Sequence, residues 1–345
     1  MKFNTKCVHG GGKPDSIGAI SPAIYMSSTF THPGLGETTG FQYTRESNPT
    51  RDRLETLIAG LEEGTDAIAF SSGMAAVDAV FHLFSPGDHV ILGDDLYGGS
   101  IRLFTNIYEK NGVEFTYVGT SDLDAVQAAF KPNTKAVYIE TPTNPMMEIT
   151  DVRALSKMAH DRDALVIVDN TFLSPYFQKP LNLGADIVVH SGTKFIGGHH
   201  DVISGFTIVK DDDLAAQLRL IYKTVGACLS AFDSWLVIRG VKTLALRMEQ
   251  HQKNAIALAE WLKNEPKVTK VLFPGLPEHP GYEINKSQTT GFGGMLSFEV
   301  DSEETAKQVL EGIQLIQFAE SLGGTESLLT YPVTQTHPDL KPEDA

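Results

Sequence analysis

LVIVDNTFLSPYFQKPLNLGADIVVHSGTKFIGGHHDVISGFTIV, residues 165–209, decides the fold class. It holds three short apolar runs, LVIVD (165–169), DIVVH (186–190) and GFTIV (205–209), which read as strands buried on both faces. Four more runs precede them: AIAF (67–70), HVILG (89–93), FTYVG (115–119) and AVYIE (136–140). Helix-compatible segments lie between, at 74–83, 122–130 and 151–161. Parallel neighbours need crossovers, and these segments supply them, so residues 52–230 read as a βα series around a mostly parallel sheet.

On either side of this block the pattern changes. Residues 1–51 are rich in Gly, Pro, Ser and Thr with little periodicity, and read as an irregular arm of the kind that reaches onto a partner subunit. After Ser230 comes a long helical stretch, FDSWLVIRGVKTLALRMEQHQKNAIALAEWLKN, then two further apolar runs, GGMLSFEV and IQLIQFAESL. Residues 231–345 therefore read as a second, smaller α+β domain. The 345 residues include only two cysteines, Cys7 and Cys228, which suits a reducing cytosol better than a disulfide framework. No signal-peptide pattern and no apolar stretch of membrane-spanning length appears, so the expectation is a cytoplasmic chain. A formal charge of −15 with no local basic stripe argues against nucleic acid and anionic lipid as partners.

In an open parallel sheet, ligands bind at the carboxyl ends of the strands. Those ends here are Ser71-Ser72-Gly73-Met74, Asp94-Asp95-Leu96-Tyr97, Glu140-Thr141-Pro142-Thr143-Asn144, Asp169-Asn170-Thr171 and His190-Ser191-Gly192-Thr193-Lys194. A lysine delivered to one strand end and a carboxylate to the end of its neighbour are what pyridoxal 5'-phosphate requires: an amine for its carbonyl and an anion for its ring nitrogen. Lys194 and Asp169 fill those roles. Taken singly each has a plainer reading, a solvated surface lysine and a turn former or helix cap. Gly73 and Met74 open a helix after a strand, where backbone N–H groups favour a phosphate, and Ser191 and Thr193 add hydroxyls. Tyr97 stands where a ring could stack on the cofactor, and Asn144 where an amide could bond its phenolic oxygen; a core lid and a turn are the plainer readings.

Rival motifs lose their anchors. His190, His199 and His200 with Asp201 are poorly spaced for one metal ion. HGGGK at 9–13 lacks both a preceding strand and the hydroxyl of a nucleotide loop, and neither G-x-S-x-G nor a strand-linked G-x-G-x-x-G occurs.

The run DIVVHSGTKFIGGHHDVISG (186–205), with matches from Pro22-Ala23-Ile24-Tyr25 to Thr336-His337, resembles the pyridoxal-phosphate-dependent Cys/Met metabolism enzymes of the transsulfuration group. The resemblance implies an α/β chain of fold type I, aspartate-aminotransferase-like. It implies Lys194 as the cofactor-bearing lysine, Asp169 as the ring-nitrogen partner and Tyr97 as the stacking aromatic that also moves protons. It places Gly73, Met74, Ser191 and Thr193 at the phosphate. Tyr43 and Arg45, in YTRESNPT, match a segment that reaches a neighbouring subunit's phosphate, which implies a homodimer pairing into a homotetramer with shared active sites. Arg102 matches an arginine near the distal end of cystathionine, and Glu326, with Ser321 in the same SLGGTES segment, lies at that substrate mouth. Gly99 stands where methionine γ-lyases carry cysteine, which speaks against that member.

GLGETTGFQYTR, AFDSW and TYPVTQTH look most like bacterial cystathionine γ-synthases that use O-acylhomoserine and cysteine. Cystathionine γ-lyase and β-lyase share the same residues, so both remain open, as does a non-catalytic paralogue that binds the cofactor. Family members continue a few dozen residues further and include an arginine for the substrate α-carboxylate. No arginine follows Arg247 here, and the expectation is a truncated sequence in which cofactor binding outlasts turnover.

Overall fold

The structure, a computed structural model, describes residues 1–335 apart from Lys13 and Asp15. The Thr336-His337 end of the family likeness, the last residues of the expected second domain and the lysine of HGGGK lie outside the described residues. Seven strands form one sheet: β1 Asp66–Phe70, β2 His89–Gly93, β3 Glu114–Val118, β4 Thr134–Glu140, β5 Leu165–Asp169, β6 Ile187–Ser191 and β7 Gly205–Val209. Their spatial order is β1-β7-β6-β5-β4-β2-β3. β7 runs antiparallel to both neighbours and every other pair is parallel. All seven expected runs are strands of this sheet.

Alternate side chains fill two cores. Val137, Ile139, Val166, Val168 and Val188 pack with Leu54, Ile58 and Leu61 of the helix Pro49–Glu62 on one face. Tyr138, Ile167, Ile187 and Val189 pack with Phe81, Phe104 and Tyr108 on the other. This double burial explains why the central strands read as continuous apolar runs. One run departs from the expectation: β3, within FTYVG, is one of the sheet's two edge strands and none of its residues is fully buried.

The helices at the crossovers start on side-chain caps that satisfy their first free N–H groups. Ser72 accepts from Ala75 N ahead of Gly73–Phe81, Asp122 from Ala125 N ahead of Leu123–Ala129, and Asp151 from Ala154 N ahead of Val152–His160. The stretch after Ser230 is two helices, Ala231–Val241 and Leu244–Leu262, rather than one. The break follows Gly240, whose Cα lies so close to the carbonyl of Gly197 that a Cβ would collide with it. Val268–Leu272 then pairs antiparallel with Ser297–Val300. Of the run IQLIQFAESL only Gln317–Phe318 is strand, paired with Leu328–Leu329. No helix among the described residues is long and apolar enough to cross a membrane.

Candidate active site

Lys194 stands three residues past the end of β6, on a single tight turn. Its N–H donates to Ser191 O (3.2 Å), Gly197 N–H to Gly192 O (2.8 Å) and Gly198 N–H to Lys194 O (2.8 Å). The turn is tied down sideways: Ser191 N–H donates to Thr171 Oγ1 (2.8 Å), and Thr193 exchanges hydrogen bonds with Ser204. The lysine Nζ reaches Ser321 Oγ at 3.1 Å, and Ser321 adopts a positive φ of 131°. Burial lowers the basicity of this amine, with the charge of Glu320 opposing the shift.

Asp169 ends β5 beside the turn. Its Oδ1 accepts from Thr171 N–H at 2.9 Å. Sheet register sets Asp169 directly opposite Glu140, the last residue of β4. Burial raises both carboxyls. Hydrogen bonds from the Thr171 hydroxyl and N–H and from the Tyr138 hydroxyl favour the Asp169 anion, whereas the charge of Asp169 raises Glu140 further. The Asp169 anion is thus the better supported of the two by hydrogen bonds, and Glu140 is the more strongly raised. Glu140 Oε2 also accepts from the backbone N–H of Tyr97 at 3.1 Å, which ties the end of β4 to the loop after β2. Burial, then the charge of Glu320, push the Tyr97 hydroxyl upward, so it carries its proton at neutral pH.

One cavity of about 1320 Å³ contains most of these groups. Its lining includes Gly73, Met74, Tyr97, Asn144, Asp169, Ser191, Thr193 and Lys194, together with Ser321 and Glu326 from the later segment. Pyridoxal phosphate fits these residues. The start of the helix Gly73–Phe81 faces the end of β6 so closely that a Cβ at residue 73 would approach Ser191 Cβ to 2.9 Å. That leaves backbone N–H groups and two hydroxyls around a space without side chains, the chemistry of a phosphate cradle. Gly99 makes room for the Tyr97 ring in the same way, since a Cβ there would come within 2.5 Å of Tyr97 Cε1.

Three sequence candidates lie outside this lining. Arg102 is exposed on the helix Gly98–Leu103, where its charge still acts on the Tyr97 hydroxyl. Tyr43 is 46% exposed and Arg45 stacks over its ring, with a guanidinium hydrogen bond to the carbonyl of Lys223. Glu326 approaches His200 Nε2 at 3.8 Å at the rim. Among the described residues no group of three or more His, Cys, Asp or Glu side chains is arranged to hold a metal ion. The sequence reading assigned no role to Tyr138, Glu140 or Thr171. The strand-end rule exposes Glu140 and Thr171; Tyr138 follows from period two, which sets it on the same face of β4 as Glu140.

Residues 4–345 match the family model of the Cys/Met metabolism PLP-dependent enzymes. The chain is 48% identical over 342 residues to a cystathionine β-lyase of Lactococcus lactis subsp. cremoris (strain MG1363), covering 99% of this chain and 90% of that protein. It is 46% identical over 340 residues to a cystathionine γ-synthase/O-acetylhomoserine (thiol)-lyase of Bacillus subtilis (strain 168), covering 98% and 87%. The crystal structure of cystathionine γ-lyase from Lactobacillus plantarum complexed with L-serine superposes with a TM-score of 0.98 at 47% identity, covering 100% of this chain and 90% of that one. These relatives perform different reactions at nearly equal identity, so the likeness fixes the family, the pyridoxal phosphate cofactor and amino-acid transsulfuration chemistry rather than one member. The chain belongs to the Cys/Met metabolism PLP-dependent enzymes.

Proposed function

We propose that the protein performs γ-replacement of the cystathionine γ-synthase type, joining cysteine to an O-acylhomoserine. The Cγ–O bond breaks, a Cγ–S bond forms, and the acyl group departs as a carboxylate that balances the proton lost by the thiol. The observation that carries this reading is a pair of opposite charges flanking the cavity, Glu326 in its lining and Arg102 outside it on the helix after Tyr97, close enough for its charge to act on the Tyr97 hydroxyl. Such a pair suits a substrate or product with a second amino-acid head, as cystathionine has.

Bound pyridoxal phosphate would supply the electron sink for a carbanion at the substrate Cα. Gly73, Met74, Ser191 and Thr193 would hold its phosphate, Asn144 its phenolic oxygen, Asp169 its ring nitrogen and Lys194 its carbonyl carbon. Lys194, less basic because it is buried, and hydrogen-bonded to Ser321, would take the Cα proton. Lys194 and Tyr97 would then remove a proton at Cβ as the Cγ–O bond breaks and return protons to Cβ and Cα once the thiol has added at Cγ. Glu140, its carboxyl raised by burial and by the charge of Asp169, favours the neutral form beside Asp169. Tyr43 and Arg45, outside the cavity of their own chain, would complete the phosphate site of a second subunit in a homodimer that pairs into a tetramer. Ile17, Ile20, Met26 and Leu35 of residues 1–51 are exposed, apolar and suited to such a contact. We assign the arm to residues 1–51, the cofactor-binding domain to 52–230 and the smaller domain to 231–345, in a cytoplasmic enzyme.

The same residues suit cleavage of cystathionine, and the β-lyase and γ-lyase relatives favour that second reading. Two incubations separate them: O-acetyl- or O-succinylhomoserine with cysteine, and cystathionine alone. Cystathionine accumulating in the first supports synthesis. 2-Oxobutanoate or pyruvate from the second, with nothing formed in the first, overturns it in favour of a lyase.

A further inference from the structure

We propose that Arg247 is a positioning residue for Lys194, its guanidinium clamping the backbone of the lysine-bearing turn to the two helices behind it. Arg247 belongs to the helix Leu244–Leu262 and is 8% exposed. Nη1 donates to Phe195 O at 2.6 Å, Nη2 to Gly240 O at 3.0 Å and more weakly to Ile196 O at 3.4 Å, and Nε donates to Thr243 Oγ1 at 3.1 Å. No carboxylate among the described residues is paired with it; the titratable groups in electrostatic contact with it are the Cys7 thiol and His251. A buried cation with only neutral partners is an expensive way to satisfy carbonyls. What it provides beyond a neutral donor is a rigid planar fork that reaches several acceptors at once.

The acceptors define its role. Phe195 and Ile196 directly follow Lys194, and their carbonyls sit where the turn ends and no helix continues to use them. Gly240 is the penultimate residue of the helix Ala231–Val241. One side chain therefore caps the lysine turn and joins it to the end of a helix. The fit is enforced from the other side by Gly198, at φ 73°, where a Cβ would overlap the guanidinium. Among the described residues Lys194 Nζ has one direct hydrogen-bond partner, Ser321, on a distant segment. The position of the amine is thus set chiefly by the turn that Arg247 holds, and a misplacement of about 1 Å costs on the order of hundredfold in rate.

The inference rests on the role proposed for Lys194, and the experiment separates the two. Arg247→Met, Arg247→Lys and Thr243→Val are compared with the parent in three measurements. These are thermal unfolding, steady-state kcat and KM, and the pH midpoint of reductive methylation at Lys194 of the cofactor-free protein, read by mass spectrometry. In the parent the charged group acting on that amine is Glu320, which none of the substitutions alters. Arg247→Met is expected to lower kcat about tenfold to hundredfold with KM within about threefold. It also moves the methylation midpoint up toward that of an ordinary lysine. Arg247→Lys restores part of both, and Thr243→Val, which frees Nε and removes the Thr243 hydroxyl's own bond to Gly240 O (3.1 Å) but leaves the guanidinium bonds to Phe195 O and Gly240 O, gives a smaller loss. Should Arg247→Met not fold, the other two variants carry the comparison. Folded variants with a lower melting temperature but parental kcat and methylation midpoint would overturn the inference and leave Arg247 a purely structural clamp. A parent that forms no product in either incubation defeats the proposed function, while the methylation midpoints still report on the clamp.

Discussion

Ser321 joins two effects that substitution can pull apart. Its hydroxyl accepts from Lys194 Nζ at 3.1 Å, and its backbone adopts a φ of 131°, a region in which a residue with Cβ is strained. Ser321→Ala removes the hydrogen bond and keeps the strain; Ser321→Gly removes both. Losing a hydrogen bond of this kind costs about 0.5–1.5 kcal/mol, or roughly twofold to tenfold in kcat if the bond orients the amine. Relief of the positive φ returns about 1–3 kcal/mol, of which glycine's greater freedom in the unfolded chain takes back about 0.4–1 kcal/mol. Ser321→Gly should therefore be more stable than Ser321→Ala by about 1 kcal/mol, while both lose a similar fraction of kcat. Urea unfolding followed by circular dichroism measures the first quantity and steady-state kinetics the second. If Ser321→Gly were the less stable of the two, the strain argument would be wrong. If both kept the parental kcat, the hydroxyl would not be what holds the amine.

Glu62, fully buried, accepts from His190 Nε2 at 2.5 Å and from Asn170 Nδ2 at 2.9 Å. Glu62→Leu leaves His190 Nε2 without an acceptor and Asn170 Nδ2 with Gln178 O (3.0 Å) alone, so urea unfolding should show a loss of about 3 kcal/mol, and a loss below about 1 kcal/mol would contradict the assignment. Burial lowers Lys194 below its ordinary 10.5, so the unfolded chain holds that proton more tightly and stability rises with pH between the lowered value and 10.5. The full penalty stands below that window, so Lys194→Met should raise the melting temperature of the cofactor-free protein at neutral pH and remove the alkaline rise. Gly99→Ala brings a Cβ to within 2.5 Å of the Tyr97 ring and 3.2 Å of Met74 Sδ. The ring must turn away, and a titration of the cofactor-free protein with pyridoxal phosphate should show about tenfold weaker binding, equivalent to roughly 1.4 kcal/mol; unchanged affinity would mean that the ring does not stack.

What the sequence disclosed, and what it withheld, follows from the range of the interactions involved. β5 and β6 are legible because each residue's chemistry states its own burial, and Asp169 and Lys194 are legible because chain direction puts them at one sheet edge. β3 shows the limit: FTYVG is as apolar as its neighbours, yet whether a strand is central or at the edge depends on the order of strands in space. The split of the helix after Ser230 was hidden because no local residue dictates it; it follows from the approach of Gly240 to Gly197, 43 positions away. In the site the same rule holds. The pairing of Glu140 with Asp169 needs the register of two strands, and the Lys194–Ser321 contact closes over 127 residues.

The electrostatics of the cavity then reduce to one cause acting on groups of opposite sign. Removal from water favours whichever form is neutral, so it makes Lys194 a weaker base and makes Asp169, Glu140 and Tyr97 weaker acids. Left alone it would discharge every group in the site. What opposes it is concentrated on Asp169: hydrogen bonds from the Thr171 hydroxyl and N–H, then the charge of His190, then the Tyr138 hydroxyl. Glu140 faces the same desolvation with only the Tyr97 N–H to favour its anion and with Asp169 to oppose it. Of the groups that favour the anion of Asp169, Thr171, two positions after β5, acts most strongly. Thr171→Val should accordingly shift the proton of the pair toward Asp169. The readout is the pyridoxal phosphate affinity of the cofactor-free protein, which should fall more steeply as the pH is lowered than in the parent. An identical pH dependence would show that something other than Thr171 keeps Asp169 ionised.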